Sequence, residues 1–427
     1  MEIEPSPIEA LMPDAASDPE RVADHALARI NGNDSRNSYL TVDETWTRDQ
    51  AGRLAGKQGD TDKPLYGLPI ALKDCFDLEG FVTTAGSRFY ARHNAPASED
   101  SWVAAQLKAA GAIITGKTHM QMLAYGITGE NRDYGDCLQP EDSTSLTGGS
   151  SSGSAAAVQE GSAIAAIGTD TGGSIRAPAA LCGLAGYRAS LGMGDWRGGT
   201  HLAQSFDTIG WLCRDLRDLR RLARALFHLR DAVHDKATQL RVAVLSGRML
   251  NDCDAPVLAS MAAWKELIKR AGTDINEIQP DLWADAFSIY APLQAVEAAR
   301  LHAGFFDEFE PVIADRLRWG ASLKPAEIIE WKSRHQSLAR QTEALFAQAD
   351  FLLLPAVPMQ RLVAGEDQSA QRPRILHFTT PASLAGLPAV VLPGHPGLQL
   401  LAAHGDDSRL LAFATRLGVI LATESAS

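Results

Sequence analysis

Cysteine is scarce in this sequence, and its spacing forms no recognisable framework. The 427 residues include five cysteines, namely Cys75, Cys137, Cys182, Cys213 and Cys253. Their number is odd, they are widely spaced, and no two form a C-x-x-C pair, which argues against a disulfide framework and against a zinc site. Free thiols are typical of a reducing compartment. We therefore expect a cytoplasmic protein without a metal site.

Basic residues are outnumbered by acidic ones. The sequence has 40 Lys and Arg residues against 52 Asp and Glu residues, a formal net charge of −12. An acidic surface repels phosphate backbones, so we do not expect nucleic acid as a partner. The one arginine-dense stretch, 214–230, also carries Asp215 and Asp218 and has leucines at helical spacing. It is predicted to be a helix with a solvated charged face.

Long apolar runs are absent as well. No uninterrupted apolar stretch reaches the roughly 18 residues that a membrane helix needs. The start of the chain is acidic and has no apolar segment, so no signal peptide is expected. The overall composition, with 45% hydrophobic and 22% charged residues, is that of a globular protein and excludes disorder.

The sequence does contain a regular alternation of short apolar runs with segments of helical periodicity. Strands are predicted at 68–72, 112–115, 164–168, 242–245, 351–354 and 389–392, and helices at 19–30, 100–110, 154–159, 216–229, 259–271 and 326–349. This alternation predicts an α/β fold in which helices cover both faces of a mixed central sheet.

Two segments rich in glycine and serine, 147–154 and 168–176, lie between predicted strands and helices. This context favours unusual backbone angles or close approach to a ligand over a flexible linker. Neither segment ends in the G-K-[ST] of a phosphate-binding loop, and the chain has no S-x-x-K pair. The run Gly149-x-Ser151-x-Gly153 matches a nucleophile elbow formally, but the residues before it do not form the strand that an elbow requires.

Since no histidine has a supporting context, a serine site would need another base, and Lys73 is the candidate. It follows the apolar run 68–72, which would carry its ammonium group into the core. A solvated lysine has a pKa of about 10.4, and burial lowers this value towards neutrality. Taken alone, the residues favour a surface ion pair of Lys73 with Asp74 or Asp77 instead, so both interpretations stay open at this point.

The chain resembles the amidase signature family, whose members are serine hydrolases with a Ser–Ser–Lys triad. The likeness is carried by segments 67–74 (GLPIALKD), 148–155 (GGSSSGSA), 168–176 (GTDTGGSIR) and 204–210 (QSFDTIG). Within the family, these segments look most like those of the short plant indole-3-acetamide hydrolases.

The resemblance implies one large amidase domain over 64–427, preceded by a helical lead-in over 1–63 that is expected to be loose over its first twenty residues. It places the catalytic core at 64–230, a variable helical region for the substrate at about 255–350, and a closing sheet region at 351–423.

The resemblance also implies the roles of individual residues. Ser174 is expected to be the nucleophile that forms an acyl-enzyme, and neutral Lys73 the base. Ser150 is expected to relay the proton between them and to follow a cis Gly149–Ser150 peptide. No cofactor is implied.

Further residues are implied around this triad. The backbone N–H groups expected to form an oxyanion hole belong to Thr171, Gly172, Gly173 and Ser174. Ala124 is expected to contact the substrate, and Asp170 and Arg176 are expected to hold the loop by hydrogen bonds and ion pairing.

No arginine can be identified from the sequence as a ligand for a substrate carboxylate. We therefore expect a small neutral, apolar or aryl amide as substrate, although anilides, carbamates and esters can follow the same chemistry. Most aromatic residues of 283–331 are expected in the core, with a few lining an acyl pocket.

The chain is expected to be a monomer or homodimer. Two alternatives stay open, namely the glutamine-hydrolysing component of a tRNA-dependent amidotransferase and a non-enzymatic docking protein on the same scaffold.

Overall fold

Fourteen α-helices and eleven β-strands make up the part of the chain that the computed structural model describes, residues 3–33, 36–56, 61–230, 239–394 and 396–425. The strands are β1 (Tyr39–Thr41), β2 (Pro69–Lys73), β3 (Ile113–Thr118), β4 (Ala165–Asp170), β5 (Ala185–Arg188), β6 (Thr208–Cys213), β7 (Arg241–Leu245), β8 (Asp274–Ile278), β9 (Phe351–Pro355), β10 (Ala389–Leu392) and β11 (Leu398–Leu401). The helices are α1 (Pro7–Ser17), α2 (Pro19–Gly32), α3 (Glu44–Ala55), α4 (Arg88–His93), α5 (Trp102–Ala109), α6 (Ser152–Glu160), α7 (Arg176–Leu181), α8 (Leu216–Phe227), α9 (Ala255–Arg270), α10 (Ala286–Leu301), α11 (Pro311–Ser322), α12 (Pro325–Ala344), α13 (Gln371–Leu384) and α14 (Asp407–Ser425).

All of these strands belong to one mixed sheet. Their order is β1-β3-β2-β4-β6-β5-β10-β11-β9-β7-β8. Strand β2 runs parallel to β3 and β4, and β7 runs parallel to β8 and β9. The remaining neighbours pair antiparallel. The α/β fold with a mixed central sheet that the sequence predicts is therefore confirmed.

The sheet separates two hydrophobic clusters. Successive residues of a strand point to opposite faces, and in β2 the side chains of Ile70 and Leu72 belong to one cluster while Ala71 belongs to the other. The same alternation occurs in β6, where Leu212 lies on the face opposite to its neighbour Trp211. Helices cover both faces, as predicted.

Strand β8 corrects the prediction of a nearly all-helical block over 255–350. Its sequence, Asp-Ile-Asn-Glu-Ile, has no apolar run, and none of its residues is buried. It forms the edge of the sheet and pairs only with β7. An edge strand with one neighbour needs little apolar surface, which explains why the sequence pattern did not reveal it.

The first residues of the chain are also more ordered than predicted. Helix α1 begins with a capping box, in which Ser6 and Glu9 satisfy each other's backbone N–H groups. The Ser6 hydroxyl and the Ile8 N–H both donate to the Asp218 carboxylate on α8, at 2.5 and 3.2 Å. Asp218 is therefore buried rather than part of a solvated face, and burial raises its pKa to about 6.

Glu160, the last residue of α6, is a buried carboxyl that faces hydroxyl groups. Its oxygens accept hydrogen bonds from Ser38 at 2.8 Å and Ser162 at 2.5 Å. Within the described ranges no basic side chain pairs with it, and the C-terminal end of a helix disfavours negative charge. Burial raises the pKa of Glu160 to about 7, although the two hydrogen bonds act in the opposite direction.

We expect Glu160→Gln to raise the melting temperature near pH 8 but not near pH 5. The folded-state pKa of about 7 lies above the ordinary value of 4.5. Stability from this group is therefore fully present below the ordinary value and is lost as the pH rises through the folded one. Glutamine stays neutral and avoids that loss. Thermal unfolding of both proteins at the two pH values measures the effect, and a difference that does not depend on pH would contradict it.

Candidate active site

Two parallel strands bring the candidate residues to one edge of the sheet. Lys73 is the last residue of β2, and Asp170 is the last residue of its parallel neighbour β4. The carboxyl ends of parallel strands share an edge, where sites of α/β proteins commonly lie. Ser150 precedes α6, and Ser174 lies in the short loop between β4 and α7.

Lys73 is fully buried, and its ammonium nitrogen contacts three hydroxyl groups. The Nζ atom lies 2.9 Å from Ser150 Oγ, 3.1 Å from Ser151 Oγ and 2.7 Å from Thr169 Oγ1. Among the described residues it pairs with no aspartate. The Asp74 carboxylate instead pairs with Lys117 at 2.8 Å, and the Asp77 carboxylate accepts from Thr83 at 2.6 Å. The interpretation of Lys73 as a surface ion-pair partner is therefore wrong.

Burial changes the acidity of this lysine. It lowers the pKa of Lys73 to about 8, although the negative charges of Asp170 and Asp207 act in the opposite direction. Desolvation disfavours an ammonium group because the charged form loses its hydration. A substantial share of Lys73 is therefore neutral in mildly alkaline solution, as a base requires.

The backbone joins the two serine segments. The Gly149–Ser150 peptide is cis, as the resemblance implies, and the Ser151 N–H donates to the Ser174 carbonyl at 3.3 Å. In the part of the chain that the structure describes, the hydroxyl groups of Ser150 and Ser174 do not hydrogen-bond to each other. The link from Lys73 to Ser150 is thus formed, and the link from Ser150 to Ser174 is open.

The loop 171–174 presents backbone donors without partners. The N–H groups of Thr171, Gly172 and Ser174 donate to no other described residue, so they remain available to an oxyanion. The Gly173 N–H differs, since it donates to Asp170 Oδ1 at 2.8 Å. The Gly173 N–H is therefore engaged within the loop, and its implied part in the oxyanion hole stays an expectation.

Asp170, next to this loop, forms ion pairs with two buried arginines. Its carboxylate lies 2.9 Å from Arg176 and 2.8 Å from Arg188, and all three side chains are fully buried. Burial alone would raise the pKa of Asp170, but the two guanidinium groups and their hydrogen bonds hold it well below its usual range. The ion pair of Asp170 with Arg176 that the resemblance implies is thus present, while Arg188 was not foreseen.

A small cavity of about 10 Å³ lies beside the serine loop. Its wall includes Ser174, Thr171 and Gly172 together with Ala124, which has a left-handed backbone with φ 55°. A larger groove of about 500 Å³, on whose wall His377 lies, contains none of the candidate residues. We assign the site to the smaller cavity, because it adjoins both the nucleophile candidate and the free donors.

The cavity lining also contains residues that the sequence analysis did not select, namely Tyr290, Gln294 and Arg372. The expectation of a neutral substrate rested on the lack of an arginine that could be identified as a carboxylate ligand. Arg372 lines the cavity, so this basis no longer holds. Of the aromatic residues in 283–331, Tyr290 lines the cavity, whereas Trp283 is buried elsewhere and donates to Thr342 Oγ1 at 2.9 Å.

Neither metal ligation nor membrane spanning has a structural basis in the described ranges. These ranges hold no group of three or more His, Cys, Asp or Glu side chains that could bind a metal ion. None of their helices combines the length and apolarity needed to cross a bilayer. All five cysteines are present as free thiols.

Comparison with known families identifies the family of this chain. A family model described as Amidase matches residues 21–411. The chain belongs to the amidase family. Members of this family hydrolyse amides, so the chain is an amide-hydrolysing enzyme, and the resemblance in its sequence is confirmed at the family level.

Individual relatives of this amidase have different activities. The chain is 31% identical to AtzE, the 1-carboxybiuret hydrolase component of Pseudomonas sp. (strain ADP), over 91% of this chain and 92% of that protein. It is 28% identical to the A component of the glutamyl-tRNA(Gln) amidotransferase of Koribacter versatilis, over 92% and 93%. Amidase 1 of Oryza sativa subsp. japonica is 43% identical over 45% of this chain and 44% of that protein. A crystal structure of an amidase superimposes with a TM-score of 0.87 at 30% identity, covering 97% of this chain and 98% of the other.

Proposed function

We propose that this amidase cleaves the C–N bond of a small amide through an acyl-enzyme on Ser174, with Ser150 as proton relay and neutral Lys73 as base. The observation that carries the proposal is the buried Lys73–Ser150 contact of 2.9 Å next to a cavity that Ser174 lines. A serine hydroxyl is a weak nucleophile and needs a base within reach of its proton, directly or through a relay.

The hydroxyl groups around Lys73 determine where its lone pair points. The Ser151 hydroxyl donates to the Thr169 carbonyl at 3.1 Å, so it can only accept from Lys73. If Thr169 Oγ1 accepts the second N–H at 2.7 Å, both hydrogens of the neutral amine are occupied. The lone pair then faces Ser150 Oγ, which carries the proton that a base must take.

In the proposed reaction, Ser150 gives its proton to Lys73 and takes the proton of Ser174, whose oxygen attacks the carbonyl carbon. The oxyanion accepts hydrogen bonds from the free N–H groups of the loop 171–174. The proton on Lys73 then returns through Ser150 to the leaving nitrogen as the C–N bond breaks, and water hydrolyses the ester. The open Ser150–Ser174 link must close in the substrate complex, as catalytic hydrogen bonds often do.

The substrate class is a further part of the proposal. The cavity of about 10 Å³ must open to admit an acyl group, and anilides, carbamates or esters can share the chemistry. The likeness to rice Amidase 1 over 45% of the chain supports a plant-type amidase. Glutamine hydrolysis is a second candidate, supported by the amidotransferase components among the relatives. A monomer or homodimer, a cytoplasmic location and the domain limits 64–427 are also part of this proposal. The non-enzymatic docking alternative is set aside, because the chain is an amide-hydrolysing enzyme.

A panel of primary amides, anilides, carbamates, esters and glutamine tests the proposal. We expect release of the amine or alcohol from at least one class, together with an intact mass that rises by that of the acyl group. Peptide mapping should place the added mass on Ser174. A turnover that proceeds without an acyl-enzyme, or an adduct on another residue, would overturn the mechanism. Exclusive glutamine hydrolysis would favour the second candidate.

A further inference from the structure

Arg372 is a cation on the cavity wall without a counter-ion. It lies near the start of α13 and is half-buried, and its guanidinium carbon lies 5.9 Å from the centre of the Phe287 ring. No carboxylate in the described ranges comes within ion-pair distance of it. Arg374, two residues further along the same helix, instead pairs with Asp252 at 3.0 Å. An arginine that stays charged in a desolvated place is costly unless an anion reaches it.

Gln294 on α10 is a second unpaired polar group on the same wall. Its side chain is only 4% exposed, and its Oε1 atom has no hydrogen-bond partner in the described structure. Buried polar atoms without partners are rare in native proteins, and a hydrogen bond to a bound ligand is one explanation for such an atom. The carboxamide can turn about its last bond, so it can present either its oxygen or its N–H groups to the cavity.

The acidic groups near the cavity are already engaged. Asp170 binds its two arginines, and Asp207 accepts from Thr171 Oγ1 at 2.6 Å and contacts His201 Nδ1 at 2.9 Å. A second cation, Arg316, donates to the Tyr125 carbonyl at 2.7 Å and lies over that ring. The carboxylates of Glu310 and Glu130 act on Arg316, so Arg372 is the cation near the cavity that no described carboxylate neutralises.

We propose that Arg372 and Gln294 form a subsite for a carboxylate on the acyl part of the substrate, so that this amidase acts on anionic amides. The inference rests on the proposed function, because it takes Ser174 as the point where the amide carbonyl lies. A planar guanidinium and a carboxamide N–H together match the two oxygens of a carboxylate. Monoamides of short dicarboxylic acids carry such a carboxylate at the end of the acyl chain.

Three amides of equal length test the subsite, namely succinamate with a terminal carboxylate, butyramide with a terminal methyl group, and β-alaninamide with a terminal ammonium. We expect the wild-type enzyme to prefer succinamate over butyramide in kcat/KM by about 100-fold and to reject β-alaninamide. Arg372→Met should lower kcat/KM for succinamate by about 100-fold, mainly through KM, and change that for butyramide by less than about threefold. Arg374→Met is the matched control and should behave as wild type.

A binding measurement separates the subsite from the chemistry. In Ser174→Ala protein, calorimetry should detect binding of succinamate, and the additional change Arg372→Met or Gln294→Leu should weaken it by at least about tenfold. Equal binding with and without Arg372, or no binding of succinamate, would overturn the subsite even if the enzyme hydrolyses other amides. Binding that depends on Arg372 supports the subsite, and if no amide is then cleaved, the proposed function alone has failed.

Discussion

Replacing Ser174 by alanine is expected to abolish amide hydrolysis, with kcat falling by about 10⁴-fold or more. The change removes the oxygen that attacks the carbonyl carbon and leaves no covalent route. It should not disturb the fold, because the Ser174 hydroxyl donates to no other described residue and lines the cavity wall. Steady-state rates on the best substrate of the panel, with the melting temperature of the same samples, measure both effects.

Ser152 provides a matched control for this prediction. Its hydroxyl is also buried next to the site, but it has no hydrogen-bond partner in the described structure. Ser152→Ala deletes the same atom from a neighbouring place, and removing an unsatisfied hydroxyl should leave stability unchanged or slightly higher. We expect nearly wild-type rates. Retention of full activity in Ser174→Ala would refute the proposed nucleophile, and equal losses in both variants would indicate a general disturbance of the loop.

Strands with buried apolar side chains could be predicted from the sequence, whereas strands in which a glycine allows close approach of a neighbouring element could not. Strands β2, β4 and β10 correspond to predicted apolar runs, whereas β5 and β6 each carry a glycine that interrupts the pattern. A Cβ atom on Gly186 would lie 2.7 Å from the Ala179 Cβ atom, and one on Gly210 would overlap the Tyr187 carbonyl. These glycines let neighbouring elements approach, and each one interrupts the apolar run on which the prediction depends.

The residues of the site also divide into those that could be predicted from the sequence and those that could not. Lys73 and Ser150 lie in segments whose pattern and resemblance could be recognised, but the contact of Lys73 with Thr169 depends on the pairing of β2 with β4. Arg372 and Arg374 are indistinguishable in sequence, since both precede β10 by a similar distance. Only the orientation of α13 places one at the cavity and the other next to Asp252.

Helix α13 connects the proposed subsite to the oxyanion loop. Leu376, one turn after Arg372, also lines the cavity, and Thr379 Oγ1 donates to the Gly172 carbonyl. The Thr379 carbonyl in turn accepts from Arg176 at 2.7 Å. These residues follow each other at helical spacing on one face. The helix that carries Arg372, the proposed ligand of a substrate carboxylate, therefore also contacts the loop 171–174 that is proposed to bind the oxyanion.

Replacing Lys73 by methionine is expected to lower kcat by about 10³-fold or more, because Ser150 then has no base to receive its proton. In the wild-type enzyme, only the neutral amine can act. Since burial lowers the pKa of Lys73 to about 8 from an ordinary 10.5, the rate should rise about tenfold per pH unit below that value and level off above it. An unburied lysine would shift this rise to clearly higher pH.

Lys73→Arg separates the loss of a base from the loss of a buried charge. The guanidinium stays protonated throughout the accessible pH range, so it can donate hydrogen bonds but cannot accept the proton of Ser150. We expect this variant to be as slow as Lys73→Met and to lose the rise in rate near pH 8, while remaining folded in circular dichroism. If the arginine enzyme kept the wild-type pH profile, the titrating group would lie elsewhere, and the neutral amine would no longer be needed to explain proton transfer.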